Sequence, residues 1–141
     1  VNISNLFLPK GVEIVNMRGR SDEWSKNYQA LNEPVDLDMP LALLIDSNSA
    51  SASEIVAGSI QDFDRGVLVG QRSFGKGLVQ TTTPLSFNSQ LKVTVAKYYI
   101  PSGRCIQEID YSHRDANGTP DKTDNIQRKP FLTKGGRTVY D

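Results

Sequence analysis

A short run of hydroxyl side chains in this sequence combines residue types that could form a nucleophilic site. Residues 49–54 read Ser-Ala-Ser-Ala-Ser-Glu and follow the apolar stretch 41–45. Open α/β sheets hold their reactive groups at the carboxyl ends of such strands. A hydroxyl at the start of the next helix lies among unpaired N–H groups, which can stabilise an alkoxide or an oxyanion. The pattern therefore indicates a serine nucleophile, with Ser51 as the candidate.

The same residues also fit a purely structural interpretation, which the local pattern leaves open. Ser51 followed three residues later by Glu54 is a capping box. A serine at a helix N-cap usually contributes only stability, about 1 kcal/mol. A nucleophilic serine also needs a base. The single histidine, His113, is one option. The other is Lys76, which has a glycine on each side and would have to lose its proton through burial; otherwise it is a solvated loop lysine.

Two rival motifs overlap the segment that contains this lysine. Residues 70–77 nearly match the phosphate-binding loop, but Gly77 stands where a Ser or Thr is required, and the residues after it favour a strand. Ser73 and Lys76 match the S-x-x-K motif of penicillin-binding enzymes. That motif needs a helical turn, which the nearby glycines oppose. The S-D-N element that accompanies it is matched only in part, by Thr123-Asp-Asn125. Neither motif is favoured.

Composition excludes several classes of function. The 141 residues contain 16 basic and 16 acidic side chains, and zero net charge argues against a nucleic-acid domain. One cysteine precludes an internal disulfide, and one histidine leaves little basis for a His-based metal site or a Ser-His triad. No window approaches the roughly 18 apolar residues of a membrane span. The chain begins with Val1 inside an apparent helix end, so we expect a piece of a longer protein.

The hydrophobic pattern predicts an α/β fold. Predicted strands cover residues 12–17, 24–30, 41–45, 67–69, 78–83 and 91–100. Between the third and fourth of these, Ala52, Val56, Ile60 and Phe63 form one apolar helical stripe. This order predicts a right-handed parallel βαβ unit whose two strands are buried on both faces. Residues 113–130 are expected to form a long exposed loop, and the glycines at 135 and 136 to turn a small terminal hairpin.

Long, ordered motifs in the sequence resemble the carboxyl-terminal processing peptidases, also called tail-specific proteases. They include Ser-Ala-Ser-Ala-Ser-Glu at 49–54, Phe-Gly-Lys-Gly at 74–77 and Pro-Ser-Gly-Arg-Cys-Ile-Gln at 101–107. The resemblance implies a crotonase/ClpP-like mixed sheet core with helices and peripheral β-hairpins, truncated at its N-terminus. Residues 1–107 are expected to be part of the peptidase catalytic core, and residues 108–141 a C-terminal extension that is partly a long polar loop.

The resemblance also implies roles for individual residues. Ser51 matches the family's nucleophile, Lys76 its general base, and Gln80 the glutamine that orients the lysine. If Lys76 begins a strand, Gln80 shares its face. The backbone N–H of Ala52 is expected to be an oxyanion donor. Asp62 is sometimes counted with the catalytic group, but it lies eleven residues along the helix, about 16 Å from the serine. A capping or ion-pair role near the helix end is expected for it instead.

The resemblance implies a serine endopeptidase that cleaves unfolded or tail-exposed proteins near their carboxyl ends through an acyl-enzyme, with no cofactor or metal. The family's upstream Arg-x-Asn-x-Gly-Gly segment and PDZ-like domain are not in residues 1–141, so the isolated chain is expected to be poorly active or inactive. The resemblance also implies extended polypeptide substrates and a location in the periplasm or otherwise outside the inner membrane; self-association is left open. The alternative is a catalytically silent peptide-binding module of the same fold.

Overall fold

The computed structural model of the chain describes residues 1–122 and 128–140, which form a mixed α/β fold. The helices are α1 (Asn2–Asn5) and α2 (Ala52–Asp62), with a 3₁₀ turn at Asp22–Trp24. The strands are β1 (Glu13–Gly19), β2 (Lys26–Gln29), β3 (Ala42–Ile45), β4 (Val67–Gly70), β5 (Leu78–Pro84), β6 (Gln90–Tyr99), β7 (Ile109–Arg114), β8 (Pro120–Lys122), β9 (Pro130–Leu132) and β10 (Thr138–Tyr140). Within these described ranges, no helix is long and apolar enough to cross a membrane.

The predicted βαβ unit is present, but its burial was predicted wrongly. Strands β3 and β4 pair in parallel, with Ala42 opposite Val67, and α2 connects them. Leu43 packs against the hydrophobic core. The opposite face is open to solvent: Leu44 is 83% exposed and Val67 59% exposed. The apolar run predicted burial on both faces, whereas within the described residues α2 covers only one.

An antiparallel four-stranded sheet, in the order β2-β1-β6-β5, forms the second layer around the core. The buried core cluster comprises Leu8, Ile14, Val15, Ala30, Ile55 and Ile60. The predicted helical stripe was therefore only partly right, because Ile60 is buried but Ala52 is exposed and Ile55 takes a core position. Ile100 covers a second side of α2 at Gly58. It packs so closely that a Cβ added to this glycine would lie 2.7 Å from Ile100 Cδ1.

The C-terminal quarter contains more regular structure than the sequence indicated. The long loop predicted for residues 113–130 is wrong where β7 and β8 form an antiparallel hairpin. Asp115 closes its turn by accepting hydrogen bonds from the Asn117 and Thr119 N–H groups. Residues 123–127 of the predicted loop lie outside the described residues. The predicted terminal hairpin is confirmed, with β9 and β10 paired and Gly136 at φ +83° in the turn between them.

Charged and polar contacts attach the β9–β10 hairpin to the carboxyl end of α2. Asp64 accepts hydrogen bonds from the Gly135 N–H at 2.8 Å and from Arg137 Nε at 3.1 Å. The Lys134 N–H donates to the Asp62 carbonyl oxygen at 2.7 Å. The pKa of Asp64 is lowered from 3.8, first by a hydrogen bond from the Thr133 side chain and then by the Gly135 N–H and Arg137. The ionised carboxylate therefore stabilises the docked hairpin.

This contact makes the attachment of the hairpin sensitive to acid. The pKa of Asp64 is lower in the folded protein than its ordinary value of 3.8. The stabilisation that the ionised Asp64 carboxylate gives the docked hairpin is therefore fully present above pH 3.8 and is lost as the pH falls through the folded-state pKa. Near neutral pH, Asp64→Asn should speed amide exchange in residues 130–140, measured by mass spectrometry and corrected for intrinsic rates. The difference from wild type should vanish on acidification. The exposed control Asp38→Asn should show no difference, and a pH-independent effect of Asp64→Asn would contradict the assignment.

Candidate active site

Ser51 occupies the sharp turn that starts α2, and its backbone is strained. Its φ of 56° and ψ of −110° lie outside the regions that a side chain other than glycine favours. Such a conformation costs about 1–3 kcal/mol and persists only where its surroundings enforce it. Here the Ser51 N–H donates to Glu54 Oε2 at 2.7 Å, and the Ser51 carbonyl oxygen accepts the Ile55 N–H at 3.0 Å. Strain concentrated at a serine between a strand and a helix points to a functional role.

The helix start also presents an available backbone donor. Among the residues that the structure describes, the Ala52 N–H donates to no acceptor. It is the first N–H of α2, where the aligned peptide dipoles favour negative charge. This arrangement is compatible with the role of oxyanion donor predicted for Ala52, which stays a prediction.

The loop that contains Lys76 needs its two glycines because it passes close to residues 106–108. Gly75 has φ +81°, and a Cβ there would lie 2.3 Å from Glu108 Cβ. A Cβ on Gly77 would lie 2.4 Å from Gln107 N. Residues 71–77 contain no helix, and a strand follows at Leu78. Neither a phosphate-binding loop nor a helical S-x-x-K turn is therefore formed.

A buried carboxylate connects this loop to the serine turn. Glu54 is 5% exposed. Its Oε1 accepts hydrogen bonds from the Ser73 hydroxyl at 2.7 Å and the Gly75 N–H at 2.6 Å. Its Oε2 accepts the Ser51 N–H at 2.7 Å and the Lys76 N–H at 2.9 Å. One side chain thus fixes the backbone of both residues predicted to be catalytic.

The sequence interpretation assigned Glu54 only the capping of its own helix and missed its bonds to the glycine loop. A further backbone bond, from the Phe74 N–H to the Ser49 carbonyl oxygen at 3.0 Å, also joins the two segments. The available signal was the Phe-Gly-Lys-Gly loop itself, because its backbone N–H groups need acceptors if the loop is packed. Nothing in the sequence identified Glu54 as that acceptor.

The side chain of Lys76 is not enclosed. The residue is exposed, and its ammonium group makes no hydrogen bond or ion pair within residues 1–122 and 128–140. Gln80 donates from Nε2 to the Thr94 hydroxyl at 3.4 Å. Because β5 begins at Leu78 and its pairing is irregular between Val79 and Gln80, the even-step argument for a shared face does not apply. The role of Gln80 stays a prediction.

Asp62 lies at the opposite end of α2 and forms the ion pair expected of it. Its side chain is 1% exposed, and its Oδ1 accepts Arg104 Nη2 at 2.6 Å. The other oxygen, Oδ2, accepts the Ser102 N–H at 2.8 Å. Arg104 also donates to Gln61 Oε1 at 2.8 Å and to the Tyr140 carbonyl oxygen at 3.0 Å. These contacts indicate that Asp62 stabilises the helix end.

An open groove of about 640 Å³ runs beside the serine turn. Its walls are mainly apolar and include Ile3, Leu43, Leu44, Ala52 and Val56. Such a groove can accept the side chains of an extended peptide. Within the described residues, no cluster of three or more His, Cys, Asp or Glu side chains could hold a metal ion.

Comparison with known proteins assigns the chain to a family. Residues 1–113 match the family described as Peptidase family S41. The chain belongs to this peptidase family. It is 46% identical over 109 residues to a carboxy-terminal-processing protease of Bartonella bacilliformis, covering 77% of this chain and 25% of that relative. It is 40% identical over 114 residues to a chloroplastic C-terminal processing peptidase of Tetradesmus obliquus, covering 79% of this chain and 24% of that relative.

Solved structures of peptidase family S41 have the same fold. A photosystem II D1 C-terminal processing protease matches with a TM-score of 0.67 and 32% identity, over 87% of this chain and 29% of that one. A putative S41 protease from Bacteroides fragilis, at 14% identity and a TM-score of 0.59, supports the fold alone, over 72% of this chain and 29% of that one. The predicted family and the α/β class are therefore confirmed. The chain spans about a quarter of the length of the curated relatives described above.

The Glu54 contacts predict a large effect from a small substitution. Glu54→Gln keeps the shape of the side chain but replaces one acceptor oxygen with an NH₂ group, which would face backbone donors. Each buried donor left without an acceptor costs about 1–3 kcal/mol, so the free energy of unfolding in urea should fall by about 2 kcal/mol or more. The exposed control Glu23→Gln should change it by less than about 0.5 kcal/mol. Equal effects in the two variants would contradict the assignment.

The Asp62 contacts predict a loss of stability without a specific loss of chemistry. Removing one partner of a buried ion pair costs about 3–5 kcal/mol, so Asp62→Asn should lower the free energy of unfolding by about that amount. If Ser51 is the nucleophile, its acylation rate per folded molecule in the intact protein should stay close to wild type. A fully folded Asp62→Asn variant that is no longer acylated would show that Asp62 acts in the reaction after all.

Proposed function

We propose that this chain carries the catalytic pair of a serine endopeptidase that cleaves unfolded or tail-exposed proteins near their carboxyl ends. Membership of peptidase family S41 supports a protease, and the printed names of its relatives, carboxy-terminal-processing protease and C-terminal processing peptidase, suggest the substrate class. One observation carries the assignment of residues: the Glu54 carboxylate accepts the backbone N–H groups of both Ser51 and Lys76.

The proposed reaction uses Ser51 as nucleophile and Lys76 as general base. The neutral amine of Lys76 takes the hydroxyl proton of Ser51 as Oγ attacks the peptide carbonyl. The Ala52 N–H donates to the oxyanion that forms. The lysine ammonium then protonates the leaving amine, which leaves an acyl group on Ser51. Water, deprotonated by the same amine, attacks the acyl carbonyl; the bond to Ser51 Oγ breaks, and the lysine ammonium returns the proton to Oγ as the carboxylic acid product leaves. Gln80 orients the lysine during both steps.

This mechanism needs the lysine amine shielded from water, because desolvation favours its neutral form. Within the described residues, Lys76 is exposed. We propose that the bound substrate supplies part of this shielding. The substrate would lie extended in the groove beside the serine turn and add as a strand to an exposed sheet edge. The strand β5, which starts two residues after Lys76, is an edge of the four-stranded sheet.

The remaining expectations from the resemblance belong to the same proposal. A PDZ-like domain of the intact protein would engage the substrate's carboxyl terminus, and the reaction would take place in the periplasm or elsewhere outside the inner membrane. No metal or cofactor takes part in the proposed reaction, since a hydroxyl, an amine and backbone donors suffice for acyl transfer.

A catalytically silent peptide-binding module is the second candidate. The exposure of the Lys76 side chain and the lack of a hydrogen bond or ion pair from its ammonium group within residues 1–122 and 128–140 favour this alternative. In that case the groove would hold peptides, while Ser51 would serve only as a helix cap.

Labelling of the intact protein by a serine-directed acylating probe separates the two candidates. Catalysis predicts stoichiometric labelling that Ser51→Ala abolishes and that Lys76→Met slows by about 10³-fold or more, the scale of losing a catalytic base. Lys97→Met, an exposed lysine on the neighbouring strand β6, should label like wild type. Binding of tail peptides without any labelling would support the silent module.

A further inference from the structure

Two side-chain acceptors hold the backbone on either side of Lys76. The N–H of Lys76 itself donates to Glu54 Oε2 at 2.9 Å. The N–H of the next residue, Gly77, donates to Gln107 Oε1 at 2.9 Å. Because each peptide unit is planar, these bonds fix the two planes that meet at the Lys76 Cα. The φ and ψ angles of Lys76, and therefore the direction of its Cα–Cβ bond, depend on both acceptors.

The carboxamide of Gln107 is itself fixed by a second bond. Its Nε2 donates to the Ile109 carbonyl oxygen at 2.9 Å. The Gln107 side chain therefore accepts one hydrogen bond through Oε1 and donates another through Nε2. Among side chains of this length, only a carboxamide provides both groups. Gly77 is buried and lies too close to Gln107 to carry a side chain. Loss of Gln107 would therefore leave a buried N–H without an acceptor one residue from the lysine.

The neighbouring backbone supports the same contact. The Glu108 N–H donates to the Gly75 carbonyl oxygen at 3.1 Å, and the Tyr98 N–H donates to the Gly77 carbonyl oxygen at 2.8 Å. The first bond engages the peptide plane between Gly75 and Lys76, which Glu54 also holds, whereas the second engages the plane that follows Gly77 and does not border the Lys76 Cα. Among the described residues, Gln107 alone engages the peptide plane between Lys76 and Gly77.

We infer that Gln107 is a positioning residue of the Ser-Lys reaction, acting through the Gly77 N–H to direct the side chain of Lys76. This inference rests on the proposed function. Gln107 itself touches neither the substrate nor the reacting atoms. Its substitution should therefore affect the chemical steps and leave peptide binding in the groove unchanged.

The test measures kcat and KM for cleavage of a tail-exposed protein by the intact protein, with four variants and correction for the folded fraction by circular dichroism. Gln107→Leu removes both hydrogen bonds and should lower kcat by about 10–100-fold, the effect of a misplaced catalytic group, with KM within about twofold of wild type. Gln107→Glu keeps an acceptor for the Gly77 N–H and should recover much of kcat. Gln29→Leu, at an exposed glutamine on β2, should match wild type, and Lys76→Met should be inactive.

The outcomes separate this inference from the proposed function. If Lys76→Met cleaves at the wild-type rate, the Ser-Lys mechanism fails and the inference fails with it. If Lys76→Met is inactive but folded Gln107→Leu has the kcat of Gln29→Leu, only the inference is overturned. A loss in Gln107→Leu that disappears on correction for folding, or equal losses in Gln107→Leu and Gln107→Glu, also overturns it.

Discussion

The site depends on one buried carboxylate. Burying a carboxylate is unfavourable unless hydrogen bonds replace its hydration. Glu54 receives four, from the Ser73 hydroxyl and from the N–H groups of Ser51, Gly75 and Lys76. Its position in the first turn of α2 adds the favourable field of the helix dipole. The strained conformation of Ser51 and the tight glycine loop are both held by this group.

The helix that begins at Ser51 is fixed at both ends by polar contacts and in the middle by apolar packing. At its amino end, Glu54 attaches the glycine loop. At its carboxyl end, the Asp62–Arg104 pair is almost fully buried, and Asp64 docks the terminal hairpin. Ile55 and Ile60 lie in the core between them. The placement of the serine is therefore determined by the surrounding fold as well as by its own loop.

Local sequence was enough to predict features that depend on neighbours along the chain. The βαβ unit around residues 41–70, the paired strands β5 and β6 and the terminal hairpin all follow from hydrophobic periodicity and turn residues. Burial of Leu44 was predicted wrongly, because the pattern indicates an apolar face but not what covers it. The hairpin of β7 and β8 was missed because its residues are polar and rich in turn formers, a composition that short exposed hairpins share with loops.

The sequence indicated candidate site residues, but not the contacts that position them. Spacing and resemblance indicated Ser51 and Lys76. They could not show that Glu54 bonds to residues about twenty positions later in the chain, because that contact arises only when β4 returns alongside β3. The glycines around Lys76 signalled a sharp turn, whereas their actual constraint is the close passage of residues 106–108. Long-range contacts of this kind leave no local pattern.

Amide exchange measured by NMR tests the central claim most directly. If the Glu54 carboxylate joins the serine turn to the lysine loop, the amide protons of Ser51, Gly75 and Lys76 should be protected and should exchange as one cooperative unit. All three should lose protection together in Glu54→Ala, which removes both acceptor oxygens. Exchange of the Gly75 and Lys76 amides at the rates of an unstructured loop, independent of the Ser51 amide, would contradict the account.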